Sequence, residues 1–305
     1  MNNLRGILMI TLAMAGFTLE DVFIKKLSGP LPTGQILIGL GLGSGAIFAA
    51  IALLNRETLF ARAAWSRMAL LRAACEALAA AAFASSLALV DLSTVAAVFQ
   101  ALPLVITMGA ALFFGDHVGW RRWSAICLGF VGVLLIIRPG LQGFEPASFL
   151  VLASVLLVAV RDLATRLIDR SVSSAVVSFQ GFSSLILAGA LMLVFLPRSP
   201  GPVGGHEAMW FAGAILFGSA GYWGIVTAMR IGDTAVVAPY RYTRLLFSMS
   251  LGVLIFDERP DLPTLLGAAL IIGSGCTDSF LNTAAHGIFP QAKTNFTQRR
   301  NAAPD

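Results

Sequence analysis

The sequence predicts an all-α integral membrane protein of ten transmembrane helices, arranged as two inverted five-helix repeats. Three observations lead there. Hydrophobic residues make up 57% of the 305-residue chain and charged residues only 12%, against roughly 45–50% and 25% in soluble proteins. Apolar windows of about 20 residues, the length a helix needs to cross a hydrocarbon core of about 30 Å, recur ten times. Two stretches in opposite halves of the chain also read as copies of each other.

The windows fall at about 6–27, 34–54, 68–90, 93–114, 123–138, 148–166, 173–196, 208–229, 234–256 and 262–281. The first opens MNNLRGILMITLAMAGF and mimics a secretory leader, with Arg5, a short apolar region and Ala13-Met14-Ala15. Its apolar run continues to Leu27, and cleavage would spoil the repeat, so a retained span is expected. The second window carries GLGLGSG, with glycines 39, 41, 43 and 45, and the third the alanine-rich ACEALAAAAFASS at 74–86. Small residues let helices approach closely; tight packing within each half and little between halves would suit rocking of one half on the other. In the fourth window Gln100 lies about 10 Å from the helix start at about 1.5 Å per residue, one turn before Pro103, whose missing N–H frees a carbonyl that needs another donor. The connections hold breakers such as GPLPTG, RPGLQGFEP and PRSPGPVGG. Residues 1–140 and 141–282 are the expected halves, and 283–305 an expected polar cytoplasmic tail.

The repeat pairs ALVDLSTVAAVFQALPLVITMGAALFFGD, residues 88–116, with AMRIGDTAVVAPYRYTRLLFSMSLGVLIFDE, residues 228–258. Setting Asp91 on Asp233 also sets Phe114-Gly115-Asp116 on Phe256-Asp257-Glu258 without a gap, and a Gly-punctuated span follows each copy. Five spans is an odd number, so the second half enters the membrane from the opposite face, an architecture of secondary transporters that places a site near the midplane. Pro103 and Pro239 do not align, which leaves the kinks of the two halves unmatched.

Twelve Lys and Arg fall in one set of connections and at the ends, against five (Lys25, Lys26, Arg138, Arg198 and Arg259) in the other set. The positive-inside bias then expects both termini in the cytoplasm. The formal charge of +5 forms no dense basic patch with interleaved aromatics, so no nucleic-acid partner is expected; the bilayer is. Cys75, Cys127 and Cys276 lie in apolar runs with no CxxC or Cys/His spacing, which predicts buried, inert thiols and no metal site.

Arg241 and Arg244 stand inside the ninth window, about 12 Å and 16–17 Å deep at about 1.5 Å per residue. A charge at the hydrocarbon centre costs at least about 2.5–3.5 kcal/mol. Snorkelling accounts for Arg241 as well as cavity lining does, but not for Arg244. The two arginines and Tyr240 share a helix face, which predicts a hydrated pocket there. Glu20 and Asp21 in the first span offer counter-charges. Asp21 has Lys25 four residues on as a local partner, which leaves Glu20 to face the pocket, either paired to an arginine or taking up a proton. In the third span Arg72 and Glu76 form an i,i+4 pair or contact a ligand, and Arg161-Asp162 anchor the sixth at its inner end. Gln100, Gln180 and Tyr222-Trp223 supply deep polar and aromatic groups for a flat ligand.

Residues 4–281 resemble the drug/metabolite transporter superfamily, specifically its EamA-type ten-helix members. The resemblance rests on GWRRWSAICLGFVGVLLIIRPG, on APYRYTRLLFSMSLGVLIFDERPDLPTLLGAALIIGSG and on a first helix ending TLEDVFIKKL. Asp116 departs from the Glu usual in the family, whereas Glu258 keeps it. The first helix and APYRYTR resemble the bacterial riboflavin importers of the superfamily; relatives that move S-adenosylmethionine or export amino acids share much of the same text. The resemblance implies a bacterial inner-membrane carrier of a small metabolite, riboflavin first, with no cofactor.

An intramembrane enzyme fits less well. His117, His206 and His286 are far apart in loops or the tail and form no HExxH, and adjacent carboxylates at 20 and 21 share a proton poorly. No GxxxxGK[ST] occurs, so ATP is not the expected direct energy source.

Overall fold

A computed structural model describes residues 3–116, 118–141, 144–169, 171–196, 198–231 and 234–288. His117, Arg170, Asp233 and most of the polar tail, residues 289–305 with Lys293, Arg299 and Arg300, lie outside the described residues. Ten helical spans follow in order: Asn3–Ser28, Thr33–Leu54, Arg67–Leu89, Leu92–Phe114, Trp120–Ile137, Ser148–Thr165, Ser174–Phe195, Gly205–Ile231, a segmented ninth from Thr234 to Phe256, and Leu262–Ile288. Among the described residues eight helices are long and apolar enough to cross a membrane by length and composition. The face holding the start of the first span is called the near face below, and the other the far face.

Helix ends follow local chemistry. Ser66 and Ser173 accept from the amides of Ala69 and Val176 at 3.3 Å, and Asp261 from Thr264 at 3.0 Å, each satisfying an amide that the helix leaves orphaned. Burial alone would raise the Asp261 carboxyl, but hydrogen bonds from Thr264 and Arg138 hold it below the usual carboxylate range.

The two halves match in detail at an offset of 142 residues. The fourth span breaks at Gln100–Ala101 and resumes at Leu102; the ninth runs through a 3-10 turn, Ala238–Tyr242, and resumes at Thr243. The resumed segments end at Phe114 and Phe256, each capped by a left-handed residue, Gly115 and Asp257, at φ 69° and 53°. The next amide reaches back six residues in both: Asp116 to the Ala110 carbonyl at 3.3 Å, Glu258 to that of Gly252 at 3.1 Å. The breaks therefore correspond although Pro103 and Pro239 do not, because a helix tolerates proline in its first turn and the turn, not the ring, sets the break.

Span pairing obeys the same exchange. The first packs on the eighth and the third on the sixth; the second packs on the seventh, and the fifth on the tenth. The expectation of tight packing within halves is corrected here, since these most extensive contacts all join one half to the other. Glycine contacts show why. A Cβ on Gly34 would lie 2.6 Å from the Gly189 carbonyl oxygen, and one on Gly132 2.7 Å from that of Gly267. In GLGLGSG, Gly39 and Gly43 admit Phe211 and Ile215 of the eighth span while Gly41 admits the backbone of the seventh, so one span serves two partners of the opposite half. Of the cysteines only Cys75 is buried; Cys127 and Cys276 are exposed on spans five and ten, because an apolar residue in a bilayer is as well placed against lipid as in a core.

Candidate functional site

The breaks of the fourth and ninth spans meet. Gln100, 7% exposed, donates from Nε2 to the Arg241 carbonyl at 3.2 Å, so a side chain at one break satisfies a backbone group at the other. One turn beyond, Arg244 donates from Nη2 to Asp21 Oδ2 at 2.7 Å. Its guanidinium is ringed by Phe17, Phe83 and Phe99 of spans one, three and four, at 5.5, 5.9 and 5.4 Å from the ring centroids. Such faces attract a cation by about 0.5–2 kcal/mol each, more when water is excluded. The depth of Arg244 is thus explained by a carboxylate and three rings, where the sequence alone suggests a hydrated pocket. Its Nε is buried with no hydrogen-bond partner among the described residues.

The acids divide differently from the sequence reading. Asp21 takes Arg244, while Lys25 turns to Glu258 at 3.5 Å and to the Val90 carbonyl at 2.6 Å. A long-range partner prevails over the i,i+4 one because Thr18, Asp21 and Lys25 share the face of the first span that packs on the ninth; Thr18 Oγ1 lies 3.3 Å from Ser248 Oγ. Glu20 points to the eighth span instead, where a Cβ on Gly218 would come within 2.4 Å of its Oε1. It makes no ion pair among the described residues.

Toward the near face lies a second charged layer. Glu76 accepts from Arg161 at 2.9 Å and pairs with Arg72 at 3.4 Å, and Arg161 also holds Asp162 at 2.8 Å. Arg72 further donates to Thr165 and to the Val177 carbonyl. The expected Arg72–Glu76 pair is present, and Arg161 joins it from the sixth span. Arg241, half-buried, is within electrostatic reach of Asp162 and Arg161 and has no ion pair among the described residues. Tyr222 packs edge-on against Phe48 at 5.2 Å and lies within reach of Arg72. Tyr240, within the 3-10 turn, is 39% exposed.

Two expected residues are not brought to this cluster. Gln180 donates to the Ala64 carbonyl at 2.6 Å, tying the seventh span to the connection before the third. Trp223 is 62% exposed, because the eighth span turns its glycine face to the first and leaves this neighbour of Tyr222 outside. The three phenylalanines and the Lys25–Glu258 pair went unread in the sequence; the i, i+3, i+7 spacing of Thr18, Asp21 and Lys25 was the signal for the shared face.

At the far face Glu258 ties the end of the ninth span to the start of the fourth. This buried carboxylate accepts from the amides of Leu92 and Ser93 at 2.6 and 2.9 Å and from Ser93 Oγ at 2.8 Å. Burial, and then Glu258, push the neighbouring Asp91 carboxyl up, with Lys25 opposing. A cavity of about 160 Å³ lies beside it, lined by Asp91, Arg138 and Asp261 among others, and one of about 600 Å³ lies at Leu53–Ala61 on the near face. Neither touches Arg241 or Arg244.

A model of the EamA-like transporter family matches residues 4–138 and 146–276. An S-adenosylmethionine uptake transporter of Rickettsia felis is 26% identical over 189 residues, covering 61% of this chain and 62% of that protein. Riboflavin transporters of Vibrio cholerae and Rhizobium johnstonii are 28% and 29% identical, over 58% and 67% of each chain. The match thus spans less than two thirds of the Rickettsia and Vibrio proteins. A crystal structure at 19% identity superposes with a TM-score of 0.62 over 92% of this chain and 98% of the other, which shows the shared fold. With a family match along both halves and eight helices among the described residues long and apolar enough to cross a membrane, this chain is a multi-pass membrane protein belonging to the EamA-like transporter family.

Proposed function

We propose that the chain is a secondary carrier, not an enzyme, that moves a small metabolite across the bacterial inner membrane by alternating access, with both termini cytoplasmic and riboflavin as the substrate to test first. Residues 1–140 and 141–282 are its two halves, and 283–305 a cytoplasmic tail. The observation carrying this reading is the half-satisfied guanidinium of Arg244, with one edge on Asp21 and Nε buried without an acceptor among three phenylalanine rings. Buried donors without partners are uncommon and call for an explanation. A planar, acceptor-rich ring entering between the rings would stack on them and give Nε a carbonyl; Arg241, Gln100 and Tyr240 line its route from the near face. Relatives named riboflavin transporter support the choice.

Labelled riboflavin offered at micromolar concentration to a riboflavin-auxotrophic host expressing the chain should accumulate. No accumulation with the protein present in the membrane removes riboflavin. A second reading rests on the same rings: three aromatic faces and a carboxylate also suit a sulfonium cation that displaces the guanidinium, and relatives named S-adenosylmethionine uptake transporter share the sequence. Uptake of labelled S-adenosylmethionine that excess riboflavin does not compete away would select it.

Glu20 is proposed as the carboxyl that takes up the coupling proton. Glu20→Gln should abolish the acceleration of uptake by an inward proton gradient while substrate exchange continues. Gly218→Ala should weaken the same acceleration, because its methyl would meet the Glu20 carboxyl. Unchanged gradient dependence in both variants would remove Glu20 from coupling.

A further inference from the structure

The repeat brings together, at each mouth, a carboxylate, a cation and an aromatic ring in corresponding places. At the far mouth Lys25 lies 3.5 Å from Glu258 and 5.3 Å from the Phe256 ring centroid. At the near mouth Arg166 lies 3.7 Å from Asp116 and 6.0 Å from the Phe114 centroid. Glu258 and Asp116, like Phe256 and Phe114, differ by the 142 residues that relate the halves, and both acids follow a left-handed cap with the same six-residue hydrogen bond. The cations close the first and sixth spans, which correspond in the two halves.

The two sets differ in one respect. The far set is the more enclosed, its side chains 17% and 3% exposed, and Glu258 holds the opening turn of the fourth span through the amides of Leu92 and Ser93. The near set is 51% and 55% exposed. Positions corresponding to Leu92 and Ser93 are Thr234 and Ala235, which open the ninth span. Residue sizes fit the same exchange. Glu258 lies against Gly252, where a Cβ would come within 2.4 Å of Oε2; at the corresponding place before Asp116 stands Ala110. A longer acid is matched with no methyl, and a shorter one with a methyl.

We propose that Glu258 and Asp116 are alternating gate carboxylates: Glu258, with Lys25, shuts the far mouth by gripping the start of the fourth span, and Asp116, with Arg166, shuts the near mouth by gripping the start of the ninth when the far mouth opens. The conformation described here is then the one closed at the far face. The inference rests on the alternating-access reading and assigns it two positioning residues that bind no substrate.

The test uses the full chain in proteoliposomes with Cys75, Cys127 and Cys276 replaced by serine and a reporter, Thr94→Cys, beside the far mouth. The rate of labelling by a membrane-impermeant maleimide reads the open fraction of that mouth without any substrate. Glu258→Gln should raise the rate about tenfold and Asp116→Asn should lower it, since each removes the latch of one state. Gly252→Ala keeps the carboxylate but crowds it, and should also raise the rate; it covers the case in which Glu258→Gln fails to insert. Shifts of the same sign in Glu258→Gln and Asp116→Asn, or no shift in Gly252→Ala, would overturn the latch. Opposite shifts in a protein that carries no metabolite would leave the latch standing and remove the transport reading.

Discussion

Arg244→Ala is expected to abolish uptake and to destabilise the fold together. Removing one partner of a buried ion pair typically costs about 3–5 kcal/mol, because the other charge stays buried without compensation. Asp21 is that charge here, 4% exposed at its side chain. Loss of uptake in the single variant would therefore not separate a substrate role from a structural one. The pair Asp21→Asn with Arg244→Gln does, because two neutral amides of similar volume can hydrogen-bond across the same gap. The double variant should regain most of the thermal stability in detergent and stay at least about a hundredfold below the parent in uptake, as expected where a group contacts the substrate. Recovery of uptake along with stability would make Arg244 a structural residue.

Gly267→Val is expected to do the greatest damage to the fold. A Cβ at 267 would lie 2.5 Å from the Gly132 carbonyl oxygen and 2.6 Å from Ile136, and one at 132 would meet the Gly267 carbonyl in return. A carbonyl cannot turn aside as a side chain does, so spans five and ten must separate along their contact. Overpacking of this kind costs about 1–3 kcal/mol or more, and in a bilayer no hydrophobic gain between helices offsets lost van der Waals contact. Gly273→Ala, on the same span, meets nothing within 4 Å and should keep parental stability. Thermal unfolding of the purified proteins decides; equal melting temperatures for the two variants would deny that the glycine contact holds spans five and ten together.

Much of the architecture was legible because its physics is local or periodic. The number of spans follows from apolar length, and the inversion from an odd count within each repeat. Even the helix ends at Phe114 and Phe256 repeat as the aligned text says. Arg241 and Arg244 stood out because depth alone makes a cation expensive. Partner choice was another matter. Asp21 has a cation four residues away and takes one 223 positions on, because the first span turns that face to the ninth. The glycines announce close approach without naming the helix that approaches.

What the sequence determined by itself is a ten-span inverted repeat with cations at depth, since hydrophobic length, helical rise and charge cost are properties of single segments. Only the tertiary structure decided that the halves interlock span against span, that three of the 21 phenylalanines surround Arg244, and that Glu258 holds the start of the fourth span. Those features depend on which faces meet across the midplane, and any of many apolar faces is chemically suited to meet any other until packing selects one.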